Sequence, residues 1–103
     1  MQINEKIISE NEVVVEISGD IDFSNSDQLK NSLFSLFEKG FTEYTLDIKE
    51  VEGIDSSGLG KLLLFQKMLG EEDGVLKITN VESDYIQNMF EMIQLDQLIE
   101  IEE

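Results

Sequence analysis

Residues 44–70 read YTLDIKEVEGIDSSGLGKLLLFQKMLG, and two hydrophobic patterns follow one another within them. In the first part, Leu46 and Ile48 alternate with polar neighbours, which is typical of a β-strand with one buried face. After a short turn, apolar residues recur every three or four positions, which predicts an α-helix from Ser57 to Leu69 with Gly70 at its end. The stretch therefore predicts a strand-to-helix junction that carries an aspartate, two serines and two glycines.

Similar patterns flank this junction on both sides. The segments VVVEISG (13–19) and VLKIT (75–79) each have one apolar face and predict two more strands. Ser24 or Ser26 can cap a helix that runs to about Lys39 before Gly40, and a third helix should follow Ser83. Core positions of that third helix are predicted at Ile86, Met89, Phe90 and Ile93. The segment KIISEN (6–11) is placed to form a hairpin with the first strand, and LIEI (98–101) forms a short strand or a helix tail.

The order strand, helix, strand, helix, strand, helix predicts a single α/β domain over residues 1–103. Right-handed crossovers would place the helices on the same face of the sheet, in agreement with strands that have only one apolar side. We expect a small mixed, largely parallel sheet of four to five strands, with the helices packed mainly on one face.

Composition excludes several classes of function. The 103 residues contain neither His nor Cys, which excludes disulfides, zinc sites of the usual kind and a Ser-His-acid triad. Asp and Glu number 23 against 7 Lys and Arg, a formal net charge of −16 that disfavours binding to nucleic acid or anionic membranes. The longest strongly apolar run, LLLF (62–65), is too short to span a bilayer. We therefore expect a soluble cytoplasmic protein whose partner is a protein with a basic face.

The junction GIDSSGLG (53–60) also fails the common nucleotide and nucleophile motifs. Gly53 and Gly58 have the spacing of a phosphate loop, but the required Lys is replaced by Leu59. Glycines do not stand two positions before and after either serine, as a nucleophile elbow would need. The segment DIDFSNSD (20–27) begins like a calcium loop, yet its sixth residue is Asn25 and not Gly, so we interpret it as a turn and helix cap. The sequence thus predicts no catalytic residue, no cofactor and no metal site.

The pairing of GDID (19–22) with LDI…VEGIDSSGLG (46–60) closely resembles the STAS-domain anti-sigma factor antagonists of bacteria. The resemblance covers nearly the whole chain, and DSSGLG is its specific part. It implies that Ser56, directly after Asp55, is phosphorylated by a partner anti-sigma factor that is also an ATP-dependent serine kinase. The unphosphorylated antagonist would bind that partner and free a sigma factor, and phosphorylation would end the binding. A phosphatase that reverses the modification is a further partner that the resemblance allows.

The residues around the predicted phosphoacceptor have structural alternatives. Ser56, Ser57 or Asp55 could each be the N-cap of the second helix. The resemblance implies that Asp22 lies beside the phosphoserine, whereas by itself it reads equally well as a residue that closes a turn. The predicted partner surface consists of Asp20, Asp22, Ser24, Asp55, Ser57, Gly58, Leu59 and Gly60. Gly58 and Gly60 are expected to allow a close backbone approach, and Lys61 pairs with phosphate or is solvated.

A second hypothesis remains beside the phosphorylation-controlled regulator. STAS domains also serve in stress-signalling assemblies and in a lipid-transport complex, so the chain could be a constitutive subunit or scaffold whose serines only cap a helix. An enzyme is a distant third alternative, because the sequence offers no acid–base pair or activated nucleophile.

Overall fold

The computed structural model of the protein describes residues 1–102, which form one five-stranded sheet and three α-helices. The elements in chain order are β1 (Gln2–Ile7), β2 (Glu12–Ser18), α1 (Ser26–Glu38), β3 (Glu43–Glu50), α2 (Ser56–Glu71), β4 (Val75–Thr79), α3 (Asp84–Ile93), a 3-10 turn (Leu95–Gln97) and β5 (Glu100–Glu102). Among the helices of these residues, none is long and apolar enough to cross a membrane.

The strands lie in the sheet in the order in which they occur in the chain. β1 and β2 form an antiparallel hairpin with Ile3 opposite Ile17, and each later strand is parallel to the one before it. Parallel neighbours need a crossover connection, and the three α-helices supply these connections. The predicted mixed, largely parallel sheet is confirmed. A hairpin with β2 forms, but only Lys6 and Ile7 of KIISEN belong to its first strand, which begins at Gln2, and residues 8–11 connect the two strands. Residues 100–102 form a short strand.

Only one face of the sheet is buried, and it carries the core. The side chains on this face of the three central strands are at most 4% exposed: Val13, Val15, Ile17, Tyr44, Leu46, Ile48, Leu76 and Ile78. Helices α1 and α2 cover them, and the Phe65 ring of α2 meets the Tyr44 ring edge to face at 4.9 Å. Full burial of one such side chain stabilises the fold by about 1.5–3 kcal/mol. This burial therefore determines which face of each strand points at the helices, as the alternation predicted.

The ends of α1 and α3 follow local signals. α1 ends just before Gly40, whose φ of 103° only glycine adopts readily. At the start of α3, the Ser83 hydroxyl accepts a hydrogen bond from the N–H of Ile86 at 3.2 Å. The prediction that Ile93 is a core residue was wrong, because it is 43% exposed. The chain turns left-handed at Gln94 and buries Leu95 in its place.

Helix α2 is longer than predicted at both ends. It begins at Ser56, one residue before the expected start, and passes through Gly70 to Glu71. Glycine permits a helix end without requiring one, since it also adopts ordinary helical angles. The chain leaves the helix where Asp73 takes a positive φ of 61° and the N–H of Gly74 donates to the carbonyl of Leu69 at 2.8 Å.

Candidate partner-binding site around Ser56

Two loops meet at the edge of the sheet where the parallel strands end. One follows β2 and the other follows β3, and a short parallel bridge joins them at Ile21 and Ile54. In this bridge the N–H of Ile21 donates to the carbonyl of Gly53 at 3.0 Å, and the N–H of Asp55 donates to the carbonyl of Ile21 at 3.1 Å. The bridge places the GDID segment beside the DSSG segment, although about thirty residues separate them in the chain.

Asp55 caps helix α2 and also ties the two loops together. Its backbone is extended, one carboxylate oxygen accepts the N–H of Gly58 at 3.0 Å, and the other accepts the N–H of Phe23 at 3.0 Å. Of the three candidates for the N-cap, Asp55 is therefore the one that the structure supports, and a capping role for Ser56 or Ser57 was wrong. The physical reason is that a carboxylate has two oxygens for two amides, whereas a serine hydroxyl has one.

The two serines of the junction differ in accessibility. Ser56 is the first residue of α2 and its side chain is exposed, whereas Ser57 is half-buried. Because Asp55 is the N-cap of the helix, the Ser56 hydroxyl is not needed for capping. It also lies at the N-terminus of a helix, where unpaired amides and the helix dipole favour negative charge.

Asp22 closes a turn in front of α1. Its Oδ1 accepts hydrogen bonds from the backbone N–H of Ser24 at 2.9 Å and from the Ser24 hydroxyl at 2.6 Å. The hydrogen bond from that hydroxyl holds the pKa of the Asp22 carboxyl below its usual range. Ser24 thus stabilises this turn, and the expectation that Ser24 or Ser26 caps α1 was wrong, because Ser26 is the first residue of the helix and no side chain makes a cap hydrogen bond there. The residue before the helix is Asn25, whose Oδ1 accepts the N–H of Asp22 at 2.9 Å.

The two glycines of DSSGLG have different roles. A Cβ at Gly58 would lie 2.5 Å from Cγ2 of Ile21 and 3.0 Å from Cγ1 of Ile54, so the predicted close approach is confirmed there. At Gly60 the prediction was wrong, since a Cβ would meet no described atom of another element within 4 Å. Leu59, between them, is partly buried and packs against the core. The absence of a side chain at Gly58 therefore allows the start of α2, which carries Ser56, to pack against the bridge between the loops.

The surroundings of Ser56 are acidic. Asp20 is exposed, and a Cβ at Gly53 would lie 3.6 Å from its carboxylate. Lys61 pairs with Asp27 of α1 at 3.2 Å, an ion pair that the sequence did not predict. Within residues 1–102, no group of three or more acidic side chains is arranged to hold a metal ion. The site is thus an acidic edge that includes the exposed Ser56 hydroxyl.

Phe23 and Asn25 complete the site, although the sequence predicted no functional role for either residue. Asn25 donates from Nδ2 to the carbonyl of Asp20 at 2.9 Å, in addition to accepting from Asp22. Phe23 lies at the tip of this turn and is 83% exposed. An aromatic residue alone within the polar run DIDFSNSD was the available signal, because a turn of this kind gives such a side chain no core to enter.

The chain is similar to known protein sequences. The family model described as the STAS domain matches residues 2–103. The anti-sigma-B factor antagonist of Bacillus subtilis (strain 168) is 32% identical over 93 residues, which are 90% of this chain and 84% of the relative. The protein of the same name from Staphylococcus aureus (strain NCTC 8325 / PS 47) is 29% identical over 89 residues, 86% of this chain and 82% of the relative.

Solved structures share the fold. The Bacillus cell fate determinant SpoIIAA in its phosphorylated form superposes with a TM-score of 0.76 at 18% identity, over 99% of this chain and 92% of its own. A putative anti-sigma factor antagonist from Thermotoga maritima gives a TM-score of 0.88 at 21% identity, over 96% of this chain and 84% of its own. At these identities the similarity to solved structures is evidence for the fold alone. It agrees with the family-model match over residues 2–103. Together with the family match and the curated relatives, these observations show that the chain belongs to the STAS domain family.

Proposed function

We propose that this protein is an anti-sigma factor antagonist that is switched by phosphorylation of Ser56. In the unphosphorylated state it binds an anti-sigma factor and so releases a sigma factor. Phosphorylation of Ser56 by the same partner, acting as an ATP-dependent serine kinase, ends the binding. Family membership and the names of the curated relatives support this role. The observation that carries it is an exposed Ser56 hydroxyl at a helix start that Asp55, and not the serine, caps.

Accessibility favours Ser56 over Ser57 as the acceptor. A kinase must bring the γ-phosphate of ATP in line with the serine oxygen, which requires room around that oxygen. Ser56 is exposed, and Ser57 is half-buried one position further into the helix. Among these two serines, the transfer should therefore occur on Ser56.

The charge of the phosphate acts differently on the fold and on the complex. Phosphoserine adds about −1.5 to −2 charges near neutral pH. At the start of α2 the helix dipole partly compensates that charge, so the domain should stay folded. In the complex, the same group would have to be desolvated beside the carboxylates of Asp22 and Asp55, which is costly. A difference of about 1.4 kcal/mol changes the affinity tenfold, so a modest effect is enough for a switch.

In this proposal the chain supplies the acceptor and the partner supplies the catalysis. The GIDSSGLG junction lacks the Lys and Ser or Thr of a phosphate loop, so ATP would be bound by the anti-sigma factor. The protein itself is then a regulator and not an enzyme. Since sigma factors and ATP are found inside the cell, this role requires a cytoplasmic location. A phosphatase would be needed to restore the active form.

The test is phosphorylation by the purified anti-sigma factor of the same host with Mg²⁺ and ATP. The intact mass should increase by one phosphoryl group, and peptide mapping should place it on Ser56. Ser56→Ala should abolish the transfer, and the matched control Ser57→Ala should retain it. ATP without the partner should leave the mass unchanged.

Binding of the same partner completes the test. Ser56→Ala should bind like the parent protein, whereas the phosphorylated protein should bind at least tenfold more weakly. Ser56→Asp is expected to lie between them, because it carries only one negative charge. A phosphorylated protein that binds as tightly as the unmodified one would contradict the switch and favour a constitutive scaffold. Transfer to Ser57 would refute the site assignment.

A further inference from the structure

Phe23 differs from the other phenylalanines of the chain. It is 83% exposed, whereas Phe41, Phe65 and Phe90 are buried and Phe34 and Phe37 are partly buried against the core. Its side chain therefore adds little to the stability of the fold. Single exposed apolar residues are common on protein surfaces and need no explanation by themselves. The position of Phe23 and the hydrogen bond that holds its backbone do need an explanation.

The backbone of Phe23 is held from several sides. Its N–H donates to Oδ2 of Asp55 at 3.0 Å, across 32 positions of sequence. On either side of it, the N–H of Asp22 donates to Oδ1 of Asn25 and the N–H of Ser24 donates to Oδ1 of Asp22, both at 2.9 Å. The ring is thus presented on a turn whose conformation is already fixed. Such an arrangement reduces the backbone entropy that is lost when a loop is ordered on binding.

One carboxylate connects this aromatic ring to the predicted phosphoacceptor. Asp55 holds the N–H of Phe23 with one oxygen and caps the helix that begins at Ser56 with the other. The backbone of Phe23 and the helix start at Ser56 are therefore held by the same side chain. Exposed acids stand within four positions of these residues in the sequence, among them Asp20, Glu52 and Asp27, of which Asp27 pairs with Lys61. An apolar centre within a charged and solvated rim is the usual anatomy of a protein–protein interface, and aromatic residues are frequent among its strongest contacts.

We propose that Phe23 is the apolar anchor through which this chain docks on the anti-sigma factor. The partner would present an apolar pocket that receives the ring and basic side chains that face the acidic rim. This inference rests on the proposed function and specifies how the partner recognises the site.

The anchor also gives a physical reason for the effect of phosphorylation. When the ring enters a pocket, water is excluded from its neighbourhood, and Ser56 lies in that neighbourhood. A hydroxyl is desolvated at modest cost, but a phosphate dianion beside Asp55 is desolvated only at a large cost. The basic groups at the rim would stay solvated, and their screened charges would compensate little of that cost.

Binding of the purified anti-sigma factor of the same host to three variants tests the proposal. Phe23→Ala should weaken binding by about tenfold to a hundredfold, mainly through faster dissociation, because the apolar contact of a whole ring is lost. Phe23→Leu should recover part of the affinity. The control is Met92→Ala on α3, which removes a side chain of similar exposure, 81%, at the far end of that helix. The control should bind like the parent protein.

Two further measurements separate anchoring from other effects. The melting temperature of Phe23→Ala should equal that of the parent protein, since only the backbone of residue 23 contributes hydrogen bonds to the fold. In the kinase assay, the KM for Phe23→Ala should rise in proportion to the loss of affinity while kcat stays unchanged, because Ser56 itself is intact. A fall in kcat with an unchanged KM would contradict the anchoring role.

The outcomes distinguish this inference from the proposed function. If the parent protein binds and Ser56 phosphorylation releases it, but Phe23→Ala binds within about twofold, only the anchor is refuted. If the parent protein does not bind the anti-sigma factor, both fail. Sedimentation of the protein alone tests a second copy of the chain as the occupant. A self-associated parent protein that Phe23→Ala converts to a monomer would assign the ring to a dimer and overturn the proposal.

Discussion

Replacement of Gly58 by alanine tests how helix α2 is seated below Ser56. The added Cβ would lie 2.5 Å from Cγ2 of Ile21 and 3.0 Å from Cγ1 of Ile54. Ile21 is 1% exposed, and its β-branched side chain has little rotational freedom, so it cannot simply move aside. We expect the start of α2 to shift away from the bridge between the two loops, with a loss of stability.

The magnitude follows from two opposing effects. Insertion of a methyl group into a packed site costs about 1–3 kcal/mol. Alanine in place of glycine within a helix returns up to about 1 kcal/mol. The net loss should be roughly 0–2 kcal/mol, and for a domain of this size each kcal/mol lowers the melting temperature by about 4–8 °C.

Gly60→Ala is the matched control, because it makes the same chemical change two residues later in the same helix. Apart from its chain neighbours and the backbone of its own helix, no described atom lies within 4 Å of a Cβ at that position. Only the helix propensity should act there, and the variant should be more stable than the parent protein by about 0.5–1 kcal/mol. Urea unfolding of the three proteins measures both effects, provided that the m value is unchanged. If Gly58→Ala is as stable as Gly60→Ala, the close packing of α2 on Ile21 is refuted.

Two further predictions concern the carboxylates of the site. Asp55→Ala removes the helix cap and should cost about 0.5–2 kcal/mol in urea unfolding, whereas Ser56→Ala should change stability by less than about 0.5 kcal/mol; equal losses would contradict the assignment of the cap. The pKa of Asp22 is lowered in the folded state, chiefly by the hydrogen bond from Ser24, so its contribution to stability is present above the unfolded pKa of about 4 and is lost as the pH falls through the lowered value. Asp22→Asn should therefore make the stability less dependent on pH below about pH 4, and an unchanged acid profile would show that this hydrogen bond does not affect the folding equilibrium.

The amino-acid sequence by itself determined the order and type of the main elements and indicated a candidate site. Alternation of apolar and polar residues identified the central strands, and their single apolar faces led to a sheet covered on one side. Glycine with a positive φ at Gly40 and the serine cap at Ser83 ended and began helices where local chemistry predicted. These signals act over a few residues. They can be recognised within one segment of sequence, because side chains repeat with a period of about 2 residues in strands and about 3.6 in helices.

The tertiary structure decided which of several adjacent residues has which role. Asp55, Ser56 and Ser57 were all suitable caps by residue type, and Asp55 was selected because its second oxygen meets the N–H of Phe23 from a distant loop. The sequence did not distinguish Gly58 from Gly60, whereas in the folded structure Ile21 packs against Gly58 and not against Gly60. Contacts between segments that are far apart in the chain produce no periodic pattern in the sequence of either segment, so such contacts cannot be predicted from that pattern. For that reason the sequence could indicate a candidate site at this junction, while the cap, the closely packed glycine and the exposed Phe23 emerged only from the packing of the two loops.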